Sequence, residues 1–120
     1  MYTNAGHNSG LLVSLSGDVE ELATCGMPIG LLPVVGYDQR ETRMEPGSTL
    51  VLYTDGITEA ESPDGEEYGI ARLSDCAVKN SGCVPEEMAI AINKDLAEFA
   101  QDVPYVDDRT PVIVQRLKAD

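Results

Sequence analysis

Thr49-Leu50-Val51-Leu52-Tyr53-Thr54-Asp55-Gly56-Ile57-Thr58-Glu59-Ala60 is the stretch whose reading decides the fold. Its first half is rich in β-branched, aliphatic and aromatic residues, which suit a pleated, half-buried surface. The preceding Glu45-Pro46-Gly47 offers Pro where a turn wants φ near −65° and Gly where it wants positive φ. A chain reversal feeding a strand over residues 49–54 follows. Asp55-Gly56 then ends the strand, holding a carboxylate at the edge of the sheet beside an unobstructed backbone.

Working outward, residues 11–15 and 37–44 carry alternating or β-branched patterns bounded by Gly, Pro, Asn and Asp, and both are expected to be strands. Met1-Tyr2-Thr3-Asn4 reads as the end of a strand, with Asn4-Ala5-Gly6-His7-Asn8 as the turn and residues 11–15 as its hairpin partner. Downstream, Ser62-Pro63-Asp64-Gly65 is a second turn, and a helical stretch marked by Tyr68, Ala71 and Leu73 runs to about Lys79. The clearest helix starts at Pro85. Glu86 and Glu87 favour the positive end of its dipole, and Met88, Ile92, Leu96 and Phe99 recur on one face. Asp107-Asp108-Arg109-Thr110 leads into a last strand, Pro111-Val112-Ile113-Val114, where Pro is tolerable at a first residue or on an edge. Strands, paired helices and a final strand make an α+β layered domain.

The chain has 120 residues, enough for a single core, and because it holds no Trp and one Phe that core must be built from Leu, Ile, Val, Met and Ala. Twenty-one acidic residues against eight basic ones give a formal charge of −13. Such a surface repels phosphate backbones and anionic headgroups, so neither nucleic acid nor membrane is an expected partner. Cys25, Cys76 and Cys83 are odd in number and match neither a zinc nor a redox spacing, which fits a reducing cytoplasmic setting. The longest apolar stretch, residues 27–35, is broken by Pro28, Gly30 and Pro33 and is far too short to span a bilayer. Its first part, Met27-Pro28-Ile29-Gly30-Leu31-Leu32, is expected to be a buried loop closing a sheet edge. No Gly-rich motif followed by Lys is present, so nucleotide binding has no support.

Asp55 follows one strand, and Asp107 and Asp108 precede another; if those strands are neighbours, all three carboxylates converge at one end of the sheet, as hard cations require. Spacing alone leaves the plainer alternative open, since Asp-Gly is a common turn pair and Asp-Asp a common loop pair. His7, the only histidine, has two readings: a proton donor to a leaving serine oxygen, or the organiser of its own turn through ring hydrogen bonds. Glu59 has no clear role beyond bracing a loop.

Six segments occur in order: Asn4-Ala5-Gly6-His7-Asn8, Met27-Pro28-Ile29-Gly30-Leu31-Leu32, Glu45-Pro46-Gly47, the string from Leu50 to Ala60, Glu66-Glu67-Tyr68-Gly69 and Asp107-Asp108-Arg109-Thr110. The series resembles the sporulation stage II protein E-like branch of the protein phosphatase 2C superfamily, over essentially the whole chain. The resemblance implies a β-sandwich flanked by antiparallel helices. It also implies two Mn²⁺ or Mg²⁺ ions that activate a water for attack on phosphoserine or phosphothreonine. Matched by motif, Asp55 and Asp107 take the positions of metal ligands, Asp108 that of a group bracing the ligands or orienting water, and Gly56 lets the backbone approach the site. The implied substrate is a phosphorylated protein, an anti-sigma-factor antagonist in a partner-switching pathway.

A domain of that family is about twice this length, and its earlier strands supply acidic residues that bridge the metals. Residues 1–120 are therefore expected to be the carboxyl-terminal portion of one phosphatase domain, with the upstream half absent and the chain inactive alone, and the expected partners include that upstream half or a self-associating copy. The alternative reading is a pseudophosphatase module that binds a regulatory partner without turnover.

Overall fold

The computed structural model describes residues 1–31, 33, 36–105 and 107–118. Strand β3 (Thr49–Tyr53) organises the sheet. It lies between β1 (Gly10–Val13) and β4 (Pro111–Gln115), while β2 (Val19–Leu22) pairs on the far side of β1, giving the order β2-β1-β3-β4 with every pair antiparallel. Between β3 and β4 come one turn of helix, α1 (Asp55–Thr58), and two longer helices, α2 (Gly69–Lys79) and α3 (Pro85–Ala100). Pro111 is tolerated because it opens an edge strand, where its missing N–H leaves no ladder bond unmade inside the sheet.

The period-2 pattern of β3 buries Thr49, Val51 and Tyr53 and leaves Leu50 and Leu52 half-buried on the opposite face. The buried set joins Leu11 and Val13 of β1 under the helices. Helix α3 contributes Met88, Ile92, Leu96 and Ala100, spaced four apart, to that same layer, and α2 contributes Leu73, Cys76 and Ala77. Burying a side chain the size of Leu, Ile or Met stabilises by about 1.5–3 kcal/mol, so this face dominates the core. Tyr68 and Phe99 close its far end with ring centroids 5.5 Å apart in an edge-to-face contact. The helices thus cover one face of the sheet. On the other, register sets Leu12 and Val114 beside Leu50, and Val112 beside Leu52. That surface is apolar yet partly open, with Val112 49% and Val114 47% exposed.

Four expectations from the sequence need correction. Residues 37–44 form no strand; a single bridge, Tyr2 to Arg40, is all that pairs there. The segment carries Asp38, Arg40, Glu41 and Arg43, is largely exposed, and has no apolar face to bury. Met1-Tyr2-Thr3-Asn4 is not the hairpin partner of β1. That place belongs to β2, joined through a turn in which the Ser14 N–H donates to the Asp18 carbonyl and Gly17 takes φ +94°. Leu15 lies beyond β1 and is 42% exposed. Finally, the loop after Met27 is not buried: Ile29 is 83% and Leu31 60% exposed, and Leu32 lies outside the described residues. No second layer lies over it among the described residues, and its anchor is Pro28 against Gly6. Among the described residues no helix is long and apolar enough to cross a membrane.

Candidate metal centre

The site is assembled where β3 leaves the sheet and β4 enters it. Tyr53 pairs with Pro111, so the residues just beyond each strand end must meet. Thr54 ties them together. Its N–H donates to the Thr110 carbonyl (3.1 Å), its hydroxyl donates to the Asp108 carbonyl (2.6 Å), and that hydroxyl accepts the Thr110 N–H (3.0 Å). One side chain therefore sets the height of the Asp107-Asp108 loop relative to Asp55.

Gly56 is required by the same approach. A Cβ there would lie 2.1 Å from the Asp108 carbonyl oxygen and 2.9 Å from that of Asp107, both backbone atoms that cannot swing aside. The backbone that needs Gly56 is thus the 107–108 loop. Asp107 is braced locally, its Oδ1 accepting the Asp108 N–H at 2.7 Å. Tyr53 is buried beneath the site, and burial, followed by the nearby Glu21 and Asp55 carboxylates, pushes its phenol above the usual tyrosine range.

A hollow of about 300 Å³ is lined by Thr54, Asp55, Asp107 and Asp108 together with His7 and its two neighbours. The expected convergence is therefore seen at the level of a shared pocket: both strand ends bring their aspartates to it. These carboxylates are exposed. Among the described residues, however, no group of three or more His, Cys, Asp or Glu side chains is arranged to hold a metal ion by itself. The donors are hard oxygens, the type that suits Mg²⁺ or Mn²⁺, but three carboxylates fall short of a full coordination sphere.

His7 enters the hollow from a braced loop. Its backbone N–H donates to Asn4 Oδ1 (2.8 Å), while Asn4 Nδ2 donates to the carbonyls of Asn8 and Leu22 (3.2 Å each). Gly6, at φ +83°, donates its N–H to Thr24 Oγ1 and lies so close to Pro28 that a Cβ would meet its ring at 2.5 Å. The His7 ring bonds through Nδ1 to the Asn8 carbonyl at 2.9 Å. The turn-organising role read from the sequence is therefore present.

Glu59 is not part of this pocket. It borders an adjacent hollow of about 230 Å³ with Glu61, Glu67, Asp107 and Arg109, and its N–H caps the Asp55 carbonyl at 2.8 Å. A larger hollow, about 570 Å³, lies between α2 and α3, far from the strand ends, with Arg72, Lys79 and Lys94 interspersed among Asp75, Asp95 and Glu98. Its charges alternate in sign, and the carboxylates of the strand ends are not among its lining. The sequence reading missed Thr54 and the bracing by Asn4; the available signal was hydroxyl residues at both strand ends, Thr54 and Thr110, beside the aspartates.

An antiparallel sheet with helices stacked on one face and aspartates at its strand ends is α+β, the architecture of protein phosphatase 2C domains. The chain belongs to the Stage II sporulation protein E (SpoIIE) family, whose model matches residues 1–117. It is 30% identical over 115 residues to Protein IcfG of Synechocystis sp., an alignment covering 96% of this chain and 18% of that protein. It is 28% identical over 118 residues to the phosphoserine phosphatase RsbU of Bacillus subtilis, covering 96% of this chain and 34% of that one. Among solved structures, the SiaA-PP2C domain of Pseudomonas aeruginosa superposes with a TM-score of 0.79 at 27% identity, over 92% of this chain and 44% of that chain. The chain thus spans less than half the length of each of these relatives.

Proposed function

We propose that this chain is the carboxyl-terminal portion of a phosphatase domain that hydrolyses phosphoserine or phosphothreonine on a protein, with an upstream half completing the catalytic centre. The observation that carries the reading is the shared pocket of Asp55, Asp107 and Asp108, drawn from two strand ends. Asp55 and Asp107 would hold a divalent cation, Mn²⁺ or Mg²⁺, with Asp108 bracing the loop and Gly56 admitting it. Two such ions, when bound, supply an activated water and neutralise charge on the phosphoryl oxygens. Thr54 keeps the two carboxylate-bearing segments in fixed relation, so that the cation site need not be organised anew at each turnover.

The open face of Leu50, Leu52, Val112 and Val114 supports the missing half, because a sheet face this apolar is normally covered. The substrate would be a phosphorylated anti-sigma-factor antagonist in a cytoplasmic partner-switching pathway; its phosphoserine chemistry is supported by the similarity to the phosphoserine phosphatase RsbU. The direct test of the cation assignment is titration calorimetry of Mn²⁺ into the complete domain. Asp55→Asn and Asp107→Asn should each weaken binding at least tenfold, whereas unchanged affinity in both would remove the assignment.

A second reading, a pseudophosphatase module that holds a partner without turnover, is favoured by one observation: no three-ligand group among the described residues. In that case the complete domain binds its partner equally well with and without a chelator.

A further inference from the structure

We propose that the hollow between α2 and α3 is an interface between two copies of this domain, paired about a two-fold axis through their helix layers. The inference stands apart from the phosphatase reading. The hollow, about 570 Å³, is lined by Arg72, Asp75 and Lys79 of α2 and by Lys94, Asp95 and Glu98 of α3, three charges of each sign. Over the molecule as a whole, a formal charge of −13 makes copies repel one another. Here the charge balances, because three of the chain's eight basic residues are gathered in one place.

Two of the six charges already have partners. The Tyr68 hydroxyl donates to the Asp95 carboxylate, and the Arg72 guanidinium lies 4.5 Å over the Phe99 ring, pairs with Glu66 at 3.3 Å and donates to the carbonyls of Glu67 and Tyr68. The other four, Asp75, Lys79, Lys94 and Glu98, are exposed and make no ion pair among the described residues, although opposite signs stand on neighbouring helices. Two unpaired ammonium groups and two unpaired carboxylates form a self-complementary set. In an isologous contact each lysine of one copy can meet a carboxylate of the other, and each such pair is made twice. A second copy is the occupant whose pattern matches by construction, whereas a wholly acidic or wholly basic partner would set half of these groups against like charge. Exposed ion pairs are individually weak, so the contact needs an apolar anchor. Ile90 supplies it: it is 67% exposed and sits four residues before Lys94 on the same side of α3, at the rim from which it can enter the partner's hollow beside Ala91 and Phe99.

The test is charge exchange in the complete domain, read as a dimer dissociation constant by sedimentation equilibrium. The parent should be a reversible dimer. Lys79→Glu with Lys94→Glu makes the four unpaired groups all acidic, and Asp75→Lys with Glu98→Lys makes them all basic. Each double variant alone should dimerise more weakly than the parent by about tenfold or more, and an equal mixture of the two should form a heterodimer within about tenfold of the parent's affinity. All four positions are exposed, so both variants should fold, which circular dichroism checks. Ile90→Ser should weaken the homodimer by about tenfold or more, since it removes the apolar anchor from both copies. A parent that is monomeric at about 1 mM, folded double variants whose mixture stays monomeric, or an Ile90→Ser domain of unchanged affinity would each overturn the assignment. So would a double variant that dimerises as tightly as the parent, since association that survives the exchange belongs to another face of the molecule.

Discussion

At the scale of single residues, the site is held by a hydroxyl and a missing methyl. Thr54→Val keeps the shape but removes the acceptor of the exposed Thr110 N–H, and should cost about 0.5–1.5 kcal/mol in urea unfolding. Gly56→Ala drives a Cβ into the Asp108 carbonyl and should cost about 1–3 kcal/mol as the 107–108 loop is displaced. Its Mn²⁺ affinity in the complete domain should fall as well; normal stability and normal affinity together would show that the close approach has no consequence. Asp55 and the Asp107-Asp108 pair could be brought together from sequence because a strand end followed by Asp-Gly and a strand start preceded by Asp-Asp meet whenever the strands are antiparallel neighbours. Thr54 could not be read the same way. Its partners lie 54 and 56 residues away, and a hydroxyl that joins distant backbone atoms leaves no local pattern.

At the scale of elements, β3, α3 and β4 were legible because each has a period matching the surface it buries, two residues for the strands and about four for the helix. Strand β2 was hidden: Glu20 and Glu21 give an edge strand whose first three residues face water. Residues 37–44 misled in the opposite sense, showing alternation without an apolar face. Helix α3 is expected to dominate the stability of its layer, so Ile92→Ala should cost about 2–5 kcal/mol by chemical denaturation. The α2–α3 end adds a pH dependence. Burial, then the hydrogen bond to Asp95 and that carboxylate's charge, raise the Tyr68 phenol far above the usual tyrosine value of 10.0. A raised acid keeps its proton in the fold but loses it in the unfolded chain once the pH passes that value, so this stability is fully present below pH 10 and drains away above it. Tyr68→Phe should therefore show a shallower loss of stability than the parent between about pH 10 and 11, measured as the difference between the two urea midpoints. Parallel curves would contradict the buried-phenol account.

For the whole molecule, the helices cover one face of the sheet and leave the other, around Leu50, Leu52, Val112 and Val114, open in part. The isolated chain is expected to self-associate through that face despite a charge of −13, and Val112→Lys with Val114→Lys should shift sedimentation toward monomer with little loss of helix signal. Failure of the double variant to change association would move the contact elsewhere. The same open face and the incomplete set of carboxylates lead to one claim, that Asp55 and Asp107 supply half of a dinuclear phosphatase centre. Its most direct measurement is Mn²⁺-dependent phosphate release by this chain alone, by the complete domain and by Asp55→Asn in that domain. The account predicts turnover in the complete domain only, and its loss on Asp55→Asn. A folded complete domain that releases no phosphate with Mn²⁺ or Mg²⁺, or one that Asp55→Asn leaves unaltered, would contradict it.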